Sequence, residues 1–311
     1  MPAGIGAAGV LGVGFETVPG TYVAPTKFIP IRSEGLTEMK EIQYTRPIIK
    51  TAVEPVHAVT GPTHIEGDIE WEVIEDCLVY FLHAGRMTVV KSGTTPNFVY
   101  TYSPAATAQE ANKTLSMTVL RNGVIFGYVG CVLAGMSITV DNGLLVGTMR
   151  MMGRSEATQS NPTVTIPQTV PFGADTYTIE IPVASAITDA GTFTFELDDS
   201  AAAQFRLGSL AAQYIGYGER NVSASIERDF IDKAQYALFK AVTAQSVHLR
   251  AAKNANRYFD ILLNSGVMDT YETTLEGQGE ILTAALEFTG KYDFTSGKAF
   301  VLEVGTAEDI T

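Results

Sequence analysis

The chain has 311 residues, 46% hydrophobic and 18% charged, which is enough for a sizeable core and for two domains of ordinary size. Its net charge is −13, with 14 acids against 11 bases through Ala157 and 20 against 10 beyond it. That balance makes the chain a poor candidate for tight nucleic-acid binding, which needs clustered Lys and Arg, and 29 glycines with few helix-forming runs favour a mainly β chain.

Residues 1–27 are rich in Gly, Ala, Pro and Thr and read as an arm, extended until something holds it. The small apolar start has no basic segment before it, so it is not read as a signal peptide, and synthesis in the cytoplasm is expected. Phe28 to Ile31 opens the first strand, with Met39 to Tyr44 as its partner or continuation. From Thr45 to Thr63, Pro47, Pro55 and Pro62 interrupt the pattern. A loop of about 20 residues is long for a compact domain and predicts a contact role. Arg46, Pro47, Lys50, Glu54 and His57 are its candidate contact residues.

Ile65 to Val73 is the most ordered stretch. Ile65, Gly67, Ile69, Trp71 and Val73 alternate with Glu66, Asp68, Glu70 and Glu72, the period of a half-buried strand. Its outer face carries four carboxylates and no base. At Ile74 the period changes, and Leu78, Phe81 and Leu82 fall at helical spacing, so a short helix follows. Like charges on one strand are mildly destabilising, which hints at a use for the stripe. A solvated outer face is the plain alternative. A cation site fits poorly, because a straight strand spaces its oxygens along a line without a cage.

Residues 86–113 read as an insertion containing a strand at Phe98, Tyr100 and Tyr102. Ser155 to Pro171, rich in Thr, Pro and Gln, marks a boundary. Tyr177 to Ile181 and Thr192 to Leu197 are further strands. Val222, Ala224 and Ile226 then alternate with Ser223, Ser225 and Glu227, and a helical stretch runs from Phe230 to about Thr243. This repeats the strand–helix unit. Leu115, Met117 and Val119 with a turn at Asn122-Gly123 match Phe259, Ile261 and Leu263 with a turn at Ser265-Gly266. Met136 to Arg154 and Tyr271 to Lys291 are matching hairpins. An internal repeat is therefore expected. The expected division is an arm 1–27, a first domain 28–157, a linker 158–175 and a second domain 176–311. That last domain ends in a strand at Ala299 to Val304 and an acidic tail.

No catalytic constellation is present in the sequence. His57, His64, His83 and His248 sit in no nucleophile or HExxH motif, and no GKS or GKT follows Gly143 and Gly147. Asp198-Asp199 suits a strand end better than acid–base work. Cys77 and Cys131 fit neither metal nor disulfide spacing and read as buried thiols. No enzyme activity, cofactor or metal is expected, and no apolar run is long enough to span a membrane.

Three stretches in order resemble a known family. Gly14 to Leu36 (GFETVPGTYVAPTKFIPIRSEGL) is similar to the opening of siphophage major tail tube proteins. Asn97 to Pro104 with Thr114 to Val119, and Tyr128 to Arg154, resemble their later strands. The resemblance covers most of residues 10–155 and, more weakly, 195–304. It implies tandem β-sandwich or barrel domains, each with a flanking α-helix, in an α+β but mainly β chain. Neighbours would join into a continuous ring barrel, and rings would stack into the tube through which the genome passes. The partners implied are the chain itself, a tape measure protein inside the tube, tail terminator and distal tail or baseplate proteins at its ends, and genomic DNA in transit. The location implied is the virion tail. Six chains per ring is usual in the family; two domains per chain would allow three. The acidic stripe would then face the lumen and repel phosphate. A capsid decoration or adhesin-like β-sandwich is the competing reading.

Overall fold

The computed structural model describes residues 9–46, 54–105, 113–159, 162–230, 233–273 and 282–310. The fold is mainly β. The first half contains β1 (Val10–Phe15), β2 (Lys27–Ile29), β3 (Ser33–Glu34), β4 (Thr37–Thr45), β5 (His57–Glu72), α1 (Glu75–His83), β6 (Met87–Thr94), β7 (Asn97–Pro104), β8 (Leu115–Arg121), β9 (Val124–Asp141), β10 (Leu144–Gly153) and β11 (Ser155–Glu156). The second contains β12 (Tyr177–Glu180), β13 (Ala186–Ile187), β14 (Ala190–Asp198), β15 (Ala202–Gln204), β16 (Tyr214–Gly216), β17 (Asn221–Asp229), α2 (Ala234–Lys240), β18 (Gln245–Asn254), β19 (Arg257–Thr273), β20 (Thr283–Gly290) and β21 (Phe300–Thr306).

One sheet crosses the whole molecule. β4 pairs with β5, β5 with β10 and β10 with β9; β9 then pairs with β14, β14 with β17, β17 with β20 and β20 with β19, all antiparallel. The halves meet at β9 and β14, with Thr139 opposite Thr194 and Gly135 opposite Asp198. The pairing order repeats. β5, β10 and β9 in the first half correspond to β17, β20 and β19 in the second, each with one bulge in its hairpin. β1 pairs with β2 and β8; β12 pairs with β13 and β18.

The second layer grows from the same strands. The N-terminal part of β9 pairs with β8, and that of β19 with β18 and β21, before each strand passes into the shared sheet. Two layers built this way enclose a core between their apolar faces. That core is continuous across both halves and includes Trp71, Phe81, Met149, Phe195, Phe259 and Phe288. The insertion 86–113 contributes the hairpin β6–β7, and β7 pairs with β21, a second tie between halves.

Several expectations change. Residues 10–15, expected within an arm, form β1, whose Leu11 and Val13 are fully buried. The buried Glu16 carboxylate anchors this end, accepting from the Gly20 and Gly130 N–H groups and the Thr114 and Ser116 hydroxyls at 2.6–2.9 Å. The stretch 45–63 is not all loop: His57 to Thr63 belongs to β5 and pairs back to Thr45 through Lys40 as a hairpin in which β4 and the β5 residues His57 to Thr60 are exposed. Ser265-Gly266 is no turn but the bend inside β19. The match to β8 is β18, which ends at the turn beyond Asn254. The second helix is shorter than expected, Ala234–Lys240. The acidic tail folds back: Ile310 is buried, its N–H donates to the Tyr100 hydroxyl at 2.7 Å, and Glu308 and Asp309 pair with Lys27 and Lys91. Cys77 and Cys131 are free and buried.

α1 lies wholly inside. Its His83 ring contacts the Val79 carbonyl and the Tyr102 hydroxyl, each at 2.8 Å, and packs edge-on against Tyr100. Burial pushes the imidazole down to about 4, with Lys113 and Lys91 acting in the same direction. The native state therefore disfavours the proton that the unfolded chain accepts near pH 6.5. The stability this gives is present above pH 6.5 and is lost as pH falls toward 4. One proton's linkage removes about 1.6 kcal/mol between pH 6.5 and 5. Denaturant unfolding across that window should show this slope, and His83→Gln should flatten it.

Candidate functional site: the acidic face of the shared sheet

The alternation in β5 places Ile65, Ile69 and Trp71 in the core and turns Glu66, Asp68, Glu70 and Glu72 to the opposite, solvent side. Gly67 sits on the core-facing side for a steric reason. A Cβ there would lie 2.4 Å from the Gly35 carbonyl oxygen, where the chain passes from β3 into β4.

Pairing carries the same face across the sheet. Asp68 is opposite Arg150, Arg150 opposite Gly135 and Gly135 opposite Asp198. Glu70 leads through Thr148 and Ser137 to Glu196 and then Ser223. Further along, Glu227, Glu287 and Glu272 lie on this side and are exposed. The far strands thus add Glu196, Asp198, Glu227, Glu272 and Glu287 to the four carboxylates of β5. Between them the side chains are mostly Ser and Thr. Directly opposed residues across antiparallel strands share a face, so distant parts of the sequence make one surface.

The stripe is less bare than its own strand suggests. Arg32, arriving from the β2–β3 connection, lies 3.5 Å from Glu70 and 3.2 Å from Glu72. His64 sits 3.7 Å from Glu66. Arg150 donates to Asp198 at 2.5 Å and leaves Asp68 across the strand pair. These contacts relieve like-charge repulsion at the cost of few net charges. The face stays acidic, with Arg150 the one base at the paired positions traced here.

The contact residues predicted in the loop have mixed placement. Arg46 and Glu54 are exposed and flank the hairpin, and His57 begins β5, also exposed. Pro47 and Lys50 lie outside the described residues. The hairpin exposes Ile42, Tyr44 and Val59. Between β14 and β17, at the corresponding place in the second half, residues 199–220 project beside it: Thr63 bonds Leu210 through the backbone at 2.8 Å. This segment exposes Leu207 and Leu210. It is fixed by buried Asp199, whose carboxylate accepts from both Arg86 and Arg220. Sequence reading missed it, since neither the pairing nor the clamp has a local signature.

Within the described residues no cluster of His, Cys, Asp and Glu could hold a metal ion, and no helix is long and apolar enough to cross a membrane. Among the described residues one open groove, about 440 Å³, lies between β1, β3 and β8 near Arg121.

The described residues thus form a two-layer β molecule with one acidic sheet face, whose end strands β4 and the C-terminal part of β19 pair on one side only. The family described as phage tail tube protein matches residues 6–290, and the chain belongs to that family. It is accordingly a structural protein of a bacteriophage tail, and membership implies self-assembly into a tube. No curated protein matches the sequence.

Proposed function

We propose that this chain builds the tail tube of a long-tailed, non-contractile phage, the conduit through which the genome reaches the host. Each chain supplies two tube modules in tandem, 28–157 and 176–311 joined by 158–175, with β1 belonging to the first. Three chains close a pseudo-sixfold ring, and rings stack head to tail. The observation that carries this reading is the shared sheet. It already joins two halves of like pairing order edge to edge, leaves an edge free at each side, and keeps one face acidic. Closing such a sheet on itself removes its edges, and head-to-tail stacking makes a filament.

The acidic face lines the lumen in this reading. Carboxylates there repel phosphate and let DNA slide, while a tape measure protein occupies the bore before ejection. The exposed hairpin of β4 and β5, with Arg46, Glu54 and His57, meets the adjacent ring, and Pro47 and Lys50 are proposed to share in that contact. Terminator and distal tail proteins close the ends, and synthesis takes place in the host cytoplasm.

Changing Glu66, Asp68, Glu70 and Glu72 together to Lys should leave tube assembly intact but lower infectivity by about tenfold or more, as phosphate then adheres to the wall. Unchanged infectivity of such virions puts the stripe on the outside. Replacing residues 46–56 by Asn-Gly joins the paired Thr45 and His57 by a two-residue turn. That variant should stay folded yet form no tubes, as seen by electron microscopy. Image averaging of wild-type tubes should give threefold symmetry with three chains per ring; six chains would remove the tandem-ring reading.

A further inference from the structure

The two end strands of the shared sheet each have one ladder neighbour among the described residues, and they are the counterparts of the two strands that meet inside the chain. Among the described residues, Val267 to Thr273 of β19 pairs only with β20 on one side, and β4 pairs only with β5. β19 stands in the second half where β9 stands in the first. β4 precedes β5 as β14 precedes β17. The correspondence extends to single residues. The bulge residue Ala134 of β9, skipped opposite β10, matches Asp269 of β19, skipped opposite β20. Gly135 therefore matches Thr270, and Ser137 matches Glu272. On the other strand Thr37 opposes Glu66 as Glu196 opposes Ser223, so Thr37 matches Glu196 and Met39 matches Asp198.

We propose that β19 of one copy pairs antiparallel with β4 of the next in the register of the internal β9–β14 junction. Thr270 then lies opposite Met39, Tyr271 opposite Glu38 and Glu272 opposite Thr37 of the second copy. This specifies the lateral contact of the tube and rests on the proposal that the chain forms one. The occupant is a second copy, because the partner each edge lacks is the one its counterpart already has within the chain.

Two further features support it. At the internal junction α1 is buried along its whole length: elements of the second half cover it, with Lys253 on Glu75 and Thr306 on Asp76. Its counterpart α2 has no buried residue and exposes Tyr236, with exposed Val242 just beyond its end, and the Tyr236 ring lies 5.4 Å from Tyr271. Among the described residues, α2 lacks such cover where the end of β19 lacks a second neighbouring strand. The second feature limits the ladder. Gly35 bonds inward to Asp68, so the alternate residue Leu36 turns its N–H and C=O to the open edge. There Glu34 accepts from the N–H, and Arg121 and Tyr128 donate to the carbonyl. The shared ladder accordingly begins at Thr37 and runs toward the hairpin.

Thr37 and Met39 direct their backbone bonds toward β5, so Glu272–Thr37 and Thr270–Met39 are non-hydrogen-bonded pairs across the new seam. Such pairs place Cα atoms about 4.5 Å apart, within disulfide range. The test is oxidation of assembled tubes carrying Thr270→Cys with Met39→Cys, or Glu272→Cys with Thr37→Cys, followed by denaturing electrophoresis without reductant. Both pairs should give covalent multimers, with the linked peptides identified by mass spectrometry. Glu272→Cys with Glu41→Cys, displaced by about 13 Å along the strand, should give few. The native Cys77 and Cys131 are buried and add no background. Tubes that form without cross-links from either matched pair, or that link the displaced pair equally well, overturn the register and leave the tube standing. Variants and wild type that fold but form no tube at any concentration overturn both.

Discussion

The structure depends on the antiparallel ladder between β9 and β14. Five residue pairs, Gly135–Asp198 through Thr139–Thr194, join the strands of the two halves into one sheet. On one side of this ladder Ile138 and Phe195 lock into the common core; on the other, Ser137 and Glu196 face solvent. Because side chains alternate with a period of two, a slip of one residue here would exchange the two sides and bury carboxylates. The chemistry of the acidic face and the packing of the core are fixed by the same register.

From that register the rest follows in order. The long strands β9 and β19 leave the shared sheet and continue into the outer layer, so core and face are built from the same backbones. The helices follow the strands that precede them. α1 finds cover from the second half, and α2 stays uncovered among the described residues. The projecting hairpin of β4 and β5 and the segment clamped by Asp199 stand side by side at one end of the sheet. Their exposed Ile42, Tyr44, Leu207 and Leu210 are apolar where a lone globule would be polar. In the proposed tube, the acidic sheet face, the lateral edges and the apolar projections at one end serve three different requirements on three different surfaces.

Much of this was legible locally. Ile65 to Val73 announces its strand, the change of period at Ile74 announces α1, and Phe98, Tyr100 and Tyr102 announce β7. Asn122-Gly123 marks a turn because both residues hold positive φ, 51° and 78°. What was not legible is whatever depends on strand partners. Glu196, Asp198, Glu227, Glu272 and Glu287 join the stripe only through cross-strand pairing, which sequence distance does not reveal. Ser265-Gly266 resembled a turn because Gly punctuates local structure, yet here it eases the passage of β19 between layers. The small residues of Val10 to Phe15 resembled an arm because Gly12 and Gly14 dilute the strand signal. They are needed there: a Cβ on either would lie 2.7 Å from the Ala24–Pro25 segment crossing above.

The covalent tether between β9 and β14 has a consequence for mass action. Residues 142–189 hold these two strands within reach of each other, so their meeting is unimolecular and proceeds at an effective concentration in the millimolar range. Dilution cannot part them, and a rival strand from elsewhere must compete against a partner that never diffuses away. The inner seam is insensitive to how much protein the cell makes, whereas any contact across the outer edges rises and falls with supply.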